Sequence, residues 1–322
     1  FDPNNTKVYY DKGNTLFNLG RYHEALESFT QAFKGNGGSY YDVILEKGLD
    51  LYKQNKLNES LSYFDKMIEL DQNNSEVYYA KGNTMLRMGN NTEALNQYDI
   101  ATSLSFIDPT FYVQKGNALL NIGNYTDAVK EYSKSIRLDP FNSSSYIHKG
   151  SAFVKLADTY QNMSDQLPYF KKALREFDKA IENNQSSQSN AKAFYSKFDV
   201  LFKMEKYQEA LEAIIQALEL DRSTYSPILI QKGLDLYKQN KLNESLSYFD
   251  SLIKEDPKNA NAYFAKGNVL FRIGNNTEAL KLYEEAIKLD PVNAPSFIYR
   301  GNPWSNFEFN NTTKNQSANF GK

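Results

Sequence analysis

The chain has 322 residues, 41% of them hydrophobic and 14% aromatic, with nine prolines and a formal net charge of −2. It can bury a continuous core and does not read as disordered, and it has no basic field to hold a nucleic-acid backbone. No stretch approaches the ~18 apolar residues of a membrane span, and the absence of cysteine excludes disulfides, zinc–thiolate sites and cysteine nucleophiles.

In chain order, a lysine or arginine followed by glycine returns about every 34 residues. The pairs are Lys12-Gly13, Lys47-Gly48, Lys81-Gly82, Lys115-Gly116, Lys149-Gly150, Lys232-Gly233, Lys266-Gly267 and Arg300-Gly301, and Lys197-Phe198 keeps the cation without the glycine. A period of that length predicts a solenoid whose units bury their apolar faces only by stacking. Twelve residues after the glycine stands a small residue (Ala25, Ser60, Ala94, Ala128, Ala210, Ser245, Ala279). Four further on comes a large one (Phe29, Phe64, Tyr98, Tyr132, Ile214, Phe249, Tyr283). Spacings of three and four are helical, so each unit reads as two antiparallel helices brought close by small residues. Turns follow at Gly89-Asn90-Asn91 and Gly123-Asn124, and units close on Asp-Pro at Asp139, Asp256 and Asp290.

The predicted organisation places units 1–4 and the first helix of unit 5 at 4–157. An insertion at 158–168 follows, with Pro168 expected to open the next helix. The rest of unit 5 and units 6–8 fill 169–294, with a Ser/Gln/Asn-rich loop expected at Asn184–Asn190. An incomplete ninth unit covers 295–304 and an Asn/Ser-rich tail 305–322. Lys47–Asp65 and Lys232–Asp250 are identical, and the same offset of 185 maps unit 1 onto unit 6, which points to a block duplication. The opening on Phe1 reads as a processed or trimmed start.

On these positions the chain resembles the tetratricopeptide repeat family over roughly residues 4–302. The resemblance implies an all-α fold, a right-handed α-solenoid of stacked helix pairs, acting as a non-catalytic scaffold for protein or peptide partners. One departure is systematic: a cation precedes the glycine where the family has a core leucine. Its stem is expected to be buried and its charge to reach water.

Asparagine follows the glycine at Asn14, Asn83, Asn117, Asn268 and Asn302. The resemblance implies that this position faces a concave groove and hydrogen-bonds a bound peptide. Tyr10, Tyr52, Tyr79, Tyr237 and Phe264 lie nearby on first helices, a set suited to an extended peptide. The two histidines, His23 and His148, fall in different units with no fixed carboxylate partner. No phosphate loop, nucleophile elbow or metal-spaced cluster is present, so neither an enzyme activity nor a cofactor or metal is expected.

Asn-x-Ser/Thr occurs thirteen times. Random placement of 35 asparagines among 39 serines and threonines gives about four. The stronger sites are Asn4, Asn73, Asn90, Asn124, Asn142, Asn162, Asn184, Asn275, Asn310, Asn311 and Asn315, whereas at Asn58 and Asn243 the hydroxyl belongs to the small core residue. The excess points to an extracellular or cell-surface N-glycoprotein; a cytoplasmic Asn-rich protein is the alternative. Tyr9 at one end and Phe297, Ile298 and Trp304 at the other are expected to be uncovered. They suggest head-to-tail self-association into a fibre, against the alternatives of a monomeric adaptor or a regulatory subunit of an enzyme.

Overall fold

The computed structural model describes residues 6–36, 38–183 and 186–291. Among these, all regular structure is α-helical, in sixteen helices. They alternate as α1 (Thr6–Asn18), α2 (Tyr22–Asn36), α3 (Gly38–Lys53), α4 (Leu57–Leu70), α5 (Ser75–Arg87), α6 (Asn91–Leu104), α7 (Pro109–Asn121), α8 (Tyr125–Leu138), α9 (Ser143–Ala157) and α10 (Met163–Glu182). Then come α11 (Ser187–Lys203), α12 (Tyr207–Leu220), α13 (Arg222–Lys238), α14 (Leu242–Glu255), α15 (Ala260–Ile273) and α16 (Asn276–Leu289). The chain divides into two compact units, Phe1–Gln185 and Ser186–Lys322.

Within the N-terminal unit each odd-numbered helix packs on the even-numbered one that follows it, and that helix packs on the next odd one. The odd helices also meet each other, α3 with α5, α5 with α7 and α7 with α9, so they form one wall of the stack. The C-terminal unit repeats the arrangement, with α13 touching α15.

The recurring glycine sets the spacing within a pair. A Cβ at Gly82 would lie 2.6 Å from the Tyr98 ring, one at Gly116 2.6 Å from Tyr132, and one at Gly267 2.5 Å from Tyr283. Those contacts are too short for any side chain, so the ring on the second helix lies flat on bare backbone of the first. Tyr98 and Tyr132 are fully buried there, each stabilising the fold by roughly 1.5–3 kcal/mol. The exception explains itself. Where Phe198 replaces glycine, the ring comes from α11, and the facing register on α12 holds the smaller Ile214; both are fully buried.

Seven of the eight described turns inside pairs, all but that between α9 and α10, contain one left-handed residue. Gly20, Gly89, Gly123 and Gly274 supply it with φ of 76°, 84°, 82° and 95°. Asn55 and Asn240 do the same at 63°, and Glu205 is held there at 59°.

Two expectations are corrected. Pro168 does not open a helix: α10 starts at Met163 and carries Pro168 in its interior. A proline there cannot bond the Ser164 carbonyl, but both residues are exposed, so water can serve that oxygen. The insertion thus comprises a loop at 158–162 and extra helix from Met163. Likewise Ser187–Asn190 is the first turn of α11 rather than loop, opened by Ser186, whose hydroxyl accepts from the Ser189 N–H at 3.1 Å.

Candidate peptide-binding cleft

Three consecutive first helices of the N-terminal unit enclose a cleft of about 260 Å³. Helix α3 contributes Leu45, Leu49 and Tyr52, α5 contributes Glu76, Tyr79, Ala80 and Asn83, and Asp108 and Phe111 come from the start of α7. The spacings of three and four along α3 and α5 put each set on one helix face.

Each wall is held from behind. Leu45 and Leu49 pack on the buried core that includes Leu51 and Phe64. Tyr79 stacks on Phe111, with ring centroids 4.6 Å apart at 25°. Asp108 caps α7, accepting from the Thr110 N–H at 2.8 Å and from its hydroxyl at 2.7 Å. Arg87 lies over Tyr52, 5.1 Å from the ring centroid, and its Nη1 donates to the Tyr52 carbonyl at 2.8 Å. The Tyr98 hydroxyl donates to Asn83 Oδ1 at 2.8 Å. A phenol is a donor at neutral pH at its ordinary pKa, and burial pushes this one higher still. Asn83 Oδ1 is thereby fixed, and its Nδ2 has no hydrogen bond among the described residues.

The repeat register can now be matched to known proteins. Models described as tetratricopeptide repeat match residues 6–34, 109–142 and 190–224, residues 63–96 and residues 230–294. The chain belongs to the tetratricopeptide repeat family. Its fold is shared with the C-terminal part of a tetratricopeptide repeat-containing protein from Cytophaga hutchinsonii, at 17% identity and TM-score 0.56 over 79% of this chain and 98% of that one. A tetratricopeptide repeat protein from Parabacteroides merdae is similar at 16% identity and TM-score 0.52, over 81% of this chain and 97% of that one. No curated protein matches the sequence. As a tetratricopeptide repeat protein the chain has the architecture of a scaffold for protein or peptide partners.

The structure brings Tyr52, Tyr79 and Asn83 together and distributes the other expected groove residues along the repeats. Asn117 on α7 accepts from the Tyr132 hydroxyl at 2.7 Å, and its Nδ2 donates to Gln114 Oε1 at 3.0 Å. Asn268 on α15 accepts from the Tyr283 hydroxyl at 2.9 Å. Three of these asparagines thus share a role inside the fold. Where the facing ring is Phe64 or Phe249, with no hydroxyl, the asparagine position holds Leu49 or Leu234. Asn14 faces Phe29 and departs from that rule. Tyr10 packs between Phe29 and Tyr40, at 6.2 and 5.5 Å. Tyr237 lies under Arg272 at 4.8 Å and Phe264 lies 5.9 Å from Tyr283. Tyr9 is half-buried on α1. Asn302, Phe297, Ile298, Trp304 and the sequons at Asn4, Asn184, Asn310, Asn311 and Asn315 lie outside the described residues.

Lys81, Lys115, Lys149 and Lys266 are more enclosed than expected, whereas Lys12 is exposed. Lys81 reaches Asp65 at 2.7 Å, Lys115 reaches Asp99 at 2.7 Å and Lys266 reaches Asp250 at 2.5 Å. In each case the carboxylate belongs to the second helix of the preceding pair. Only 17% of the Lys115 side chain is exposed, and the buried Glu131 adds a second partner at 3.5 Å. Burial alone would pull the Lys115 pKa down, but the bond to Asp99 and the charge of Glu131 outweigh it and raise it. Lys149 uses buried Glu176 at 3.1 Å. Lys47 and Lys232 meet aromatic faces instead, over Phe17 at 4.9 Å and Phe202 at 4.6 Å. All of these lysines except Lys149, whose partner lies on α10 of its own pair, pin one repeat to its neighbour.

The histidines serve local contacts. His23 is 3.5 Å from Glu27 on the surface, and His148 Nδ1 donates to the Ser144 carbonyl at 2.7 Å. Among the described residues, no cluster of three or more His, Asp or Glu could hold a metal, and no helix is long and apolar enough to cross a membrane. Sequence reasoning missed Leu45, Leu49, Glu76, Asp108 and Phe111. The signal for Leu49 was its register, since it occupies the position that Asn83 fills one repeat later.

Proposed function

We propose that this tetratricopeptide repeat protein is an adaptor that holds an extended segment of a partner protein against α3, α5 and α7. The observation carrying this reading is the cleft itself, where apolar, aromatic and amide side chains from three repeats converge. An extended peptide presents its side chains alternately and its backbone groups between them. Tyr79 and Leu49 offer apolar contact to the former, and the Asn83 Nδ2 group a donor to the latter. Peptides selected from a displayed random library against the full chain test this. Selected peptides should lose binding to Leu49→Trp, which fills the cleft, with circular dichroism confirming retained helicity. Should that variant lose helicity, Tyr52→Ala serves instead. Binding untouched by a folded cleft variant would place recognition elsewhere.

A second reading, an extracellular N-glycoprotein, is favoured by the surface of the turns. At Asn90, Asn124, Asn162 and Asn275 both the asparagine and the hydroxyl residue two positions on are exposed. Asn124 and Asn275 cap their helices, but Asn90 and Asn162 make no side-chain capping bond, so capping does not account for them. The Ser60 and Ser245 hydroxyls of the weaker sequons are buried, donating to Gly48 and Gly233 carbonyls at 2.9 and 2.8 Å. Intact mass of protein from its native source should exceed that of the bare chain; a bare mass contradicts the reading. Head-to-tail self-association through Tyr9 and residues 295–304 is a lesser proposal. Light scattering of the full chain and of one lacking 295–322 tests it: particles larger than a monomer only in the full chain support it, and equal sizes contradict it.

A further inference from the structure

We propose that the cleft of α3, α5 and α7 takes a cationic side chain, lysine or arginine, of the partner segment. This rests on the peptide-binding reading above and adds the chemistry of the bound residue. Both charged residues lining the cleft, Glu76 and Asp108, are acidic. Glu76 is exposed in the first turn of α5, and Asp108 caps α7 through one oxygen, Oδ1. Each therefore sits at a helix N-terminus, where the aligned peptide dipoles favour the ionised carboxylate. The same cleft is lined by Tyr52, Tyr79 and Phe111, and aromatic rings attract cations. The protein already uses that chemistry at the edge of the cleft, where the Arg87 guanidinium covers Tyr52.

The duplicated sequence supplies a comparison within the same chain. An offset of 185 places Tyr237, Phe264 and Asn268 at the positions of Tyr52, Tyr79 and Asn83. Arg272 covers Tyr237 as Arg87 covers Tyr52, donating to its carbonyl at 2.9 Å. Glu76, however, becomes Asn261, and Asp108 becomes Asn293, which lies outside the described residues. Tyr52, Tyr79 and Asn83 thus have aromatic and amide counterparts in the second copy, whereas Phe111 becomes Ser296 and neither carboxylate recurs. The two carboxylates together are therefore not a requirement of the repeat. An acidic segment would be repelled here, whereas a basic one gains two opposite charges and aromatic contact without displacing an internal ion pair.

The test uses the full chain and three fluorescein-labelled capped peptides, Ser-Leu-X-Leu-Ser, with X as Arg, Gln or Glu, followed by fluorescence polarisation. The arginine peptide should bind best, and Glu76→Gln and Asp108→Asn should each weaken it roughly two- to fivefold, as expected for partly exposed charge pairs. Asparagine caps a helix as well as aspartate, so Asp108→Asn keeps α7 intact. Added salt should weaken the arginine peptide and leave the glutamine peptide unchanged. Equal binding of all three peptides, lost in Leu49→Trp, would overturn the cationic preference and leave the peptide cleft standing. No binding by any of them, or binding indifferent to a folded Leu49→Trp protein, would overturn both.

Discussion

The segments Lys47–Asp65 and Lys232–Asp250 are identical in sequence and sit in different compact units, which separates what packing demands from what it leaves free. The packing repeats closely. Tyr63 donates to the Tyr22 carbonyl at 2.8 Å and Tyr248 to that of Tyr207 at 3.0 Å. Lys56 bonds the Tyr22 hydroxyl as Lys241 bonds that of Tyr207. What differs is the next repeat, where α5 opens with Glu76 and α15 with Asn261 in the same register. The framework that spaces the helices is held in both copies, and the charge of the exposed first-helix surface varies.

The unit that departs furthest from the glycine register is the place to break this comparison. Phe198→Ala should cost about 3–5 kcal/mol in urea unfolding, because neither α11 nor Ile214 can fill the space of the lost ring. A cost near that of a surface change would show that the exchange of volume between α11 and α12 is not what holds this pair. Next in size, Lys115→Met should cost about 1–3 kcal/mol, since it takes a partner from the buried Glu131. Lys12→Met, on an exposed residue before the first glycine, should stay within about 0.5 kcal/mol. Equal costs would mean that the carboxylate partners of Lys115 carry no weight.

Asn83 and Tyr98 sharpen the comparison with Leu49 and Phe64. Asn83→Leu alone should cost about 1 kcal/mol, because the buried Tyr98 hydroxyl loses its acceptor. Adding Tyr98→Phe should recover most of that, as it recreates the pair found one repeat earlier, and a strictly additive double mutant would contradict the pairing. The smallest effect near neutrality is alkaline. Burial raises the pKa of Tyr63, Tyr98 and Tyr132 in one unit and of Tyr248 in the other. The folded-state pKa exceeds the unfolded one, so the stabilisation is complete below about pH 10 and is lost as pH rises beyond it. Circular dichroism against pH should show unfolding in that range, accompanied by tyrosinate absorbance; tyrosines ionising without loss of helicity would contradict it.

The helix pairs, their turns and their small and large registers were legible in the sequence because each depends on residues close along one repeat. The lysine partners were not. Asp65 and Lys81 are sixteen residues apart on different helices, and only the stacking of one pair on the next brings them together. The tyrosine bonds to Asn83, Asn117 and Asn268 were not legible either, because each depends on where the ring across the pair lies. The cleft needed three repeats at once. Its apolar wall at Leu49 and its acidic rim at Glu76 and Asp108 break the repeating pattern, so an alignment of units passes over them. Pro168 misled because a proline usually marks the first turn of a helix, and here both it and the carbonyl it leaves unbonded face solvent.

Hydrogen exchange of the full chain, with and without the saturating Ser-Leu-Arg-Leu-Ser peptide, tests the central claim most directly. Slowed exchange should fall on α3, α5 and the start of α7, with α13 and α15 unchanged although they carry the corresponding aromatic and amide residues. Protection shared equally by both copies, or confined to the second helices of the pairs, would contradict the account.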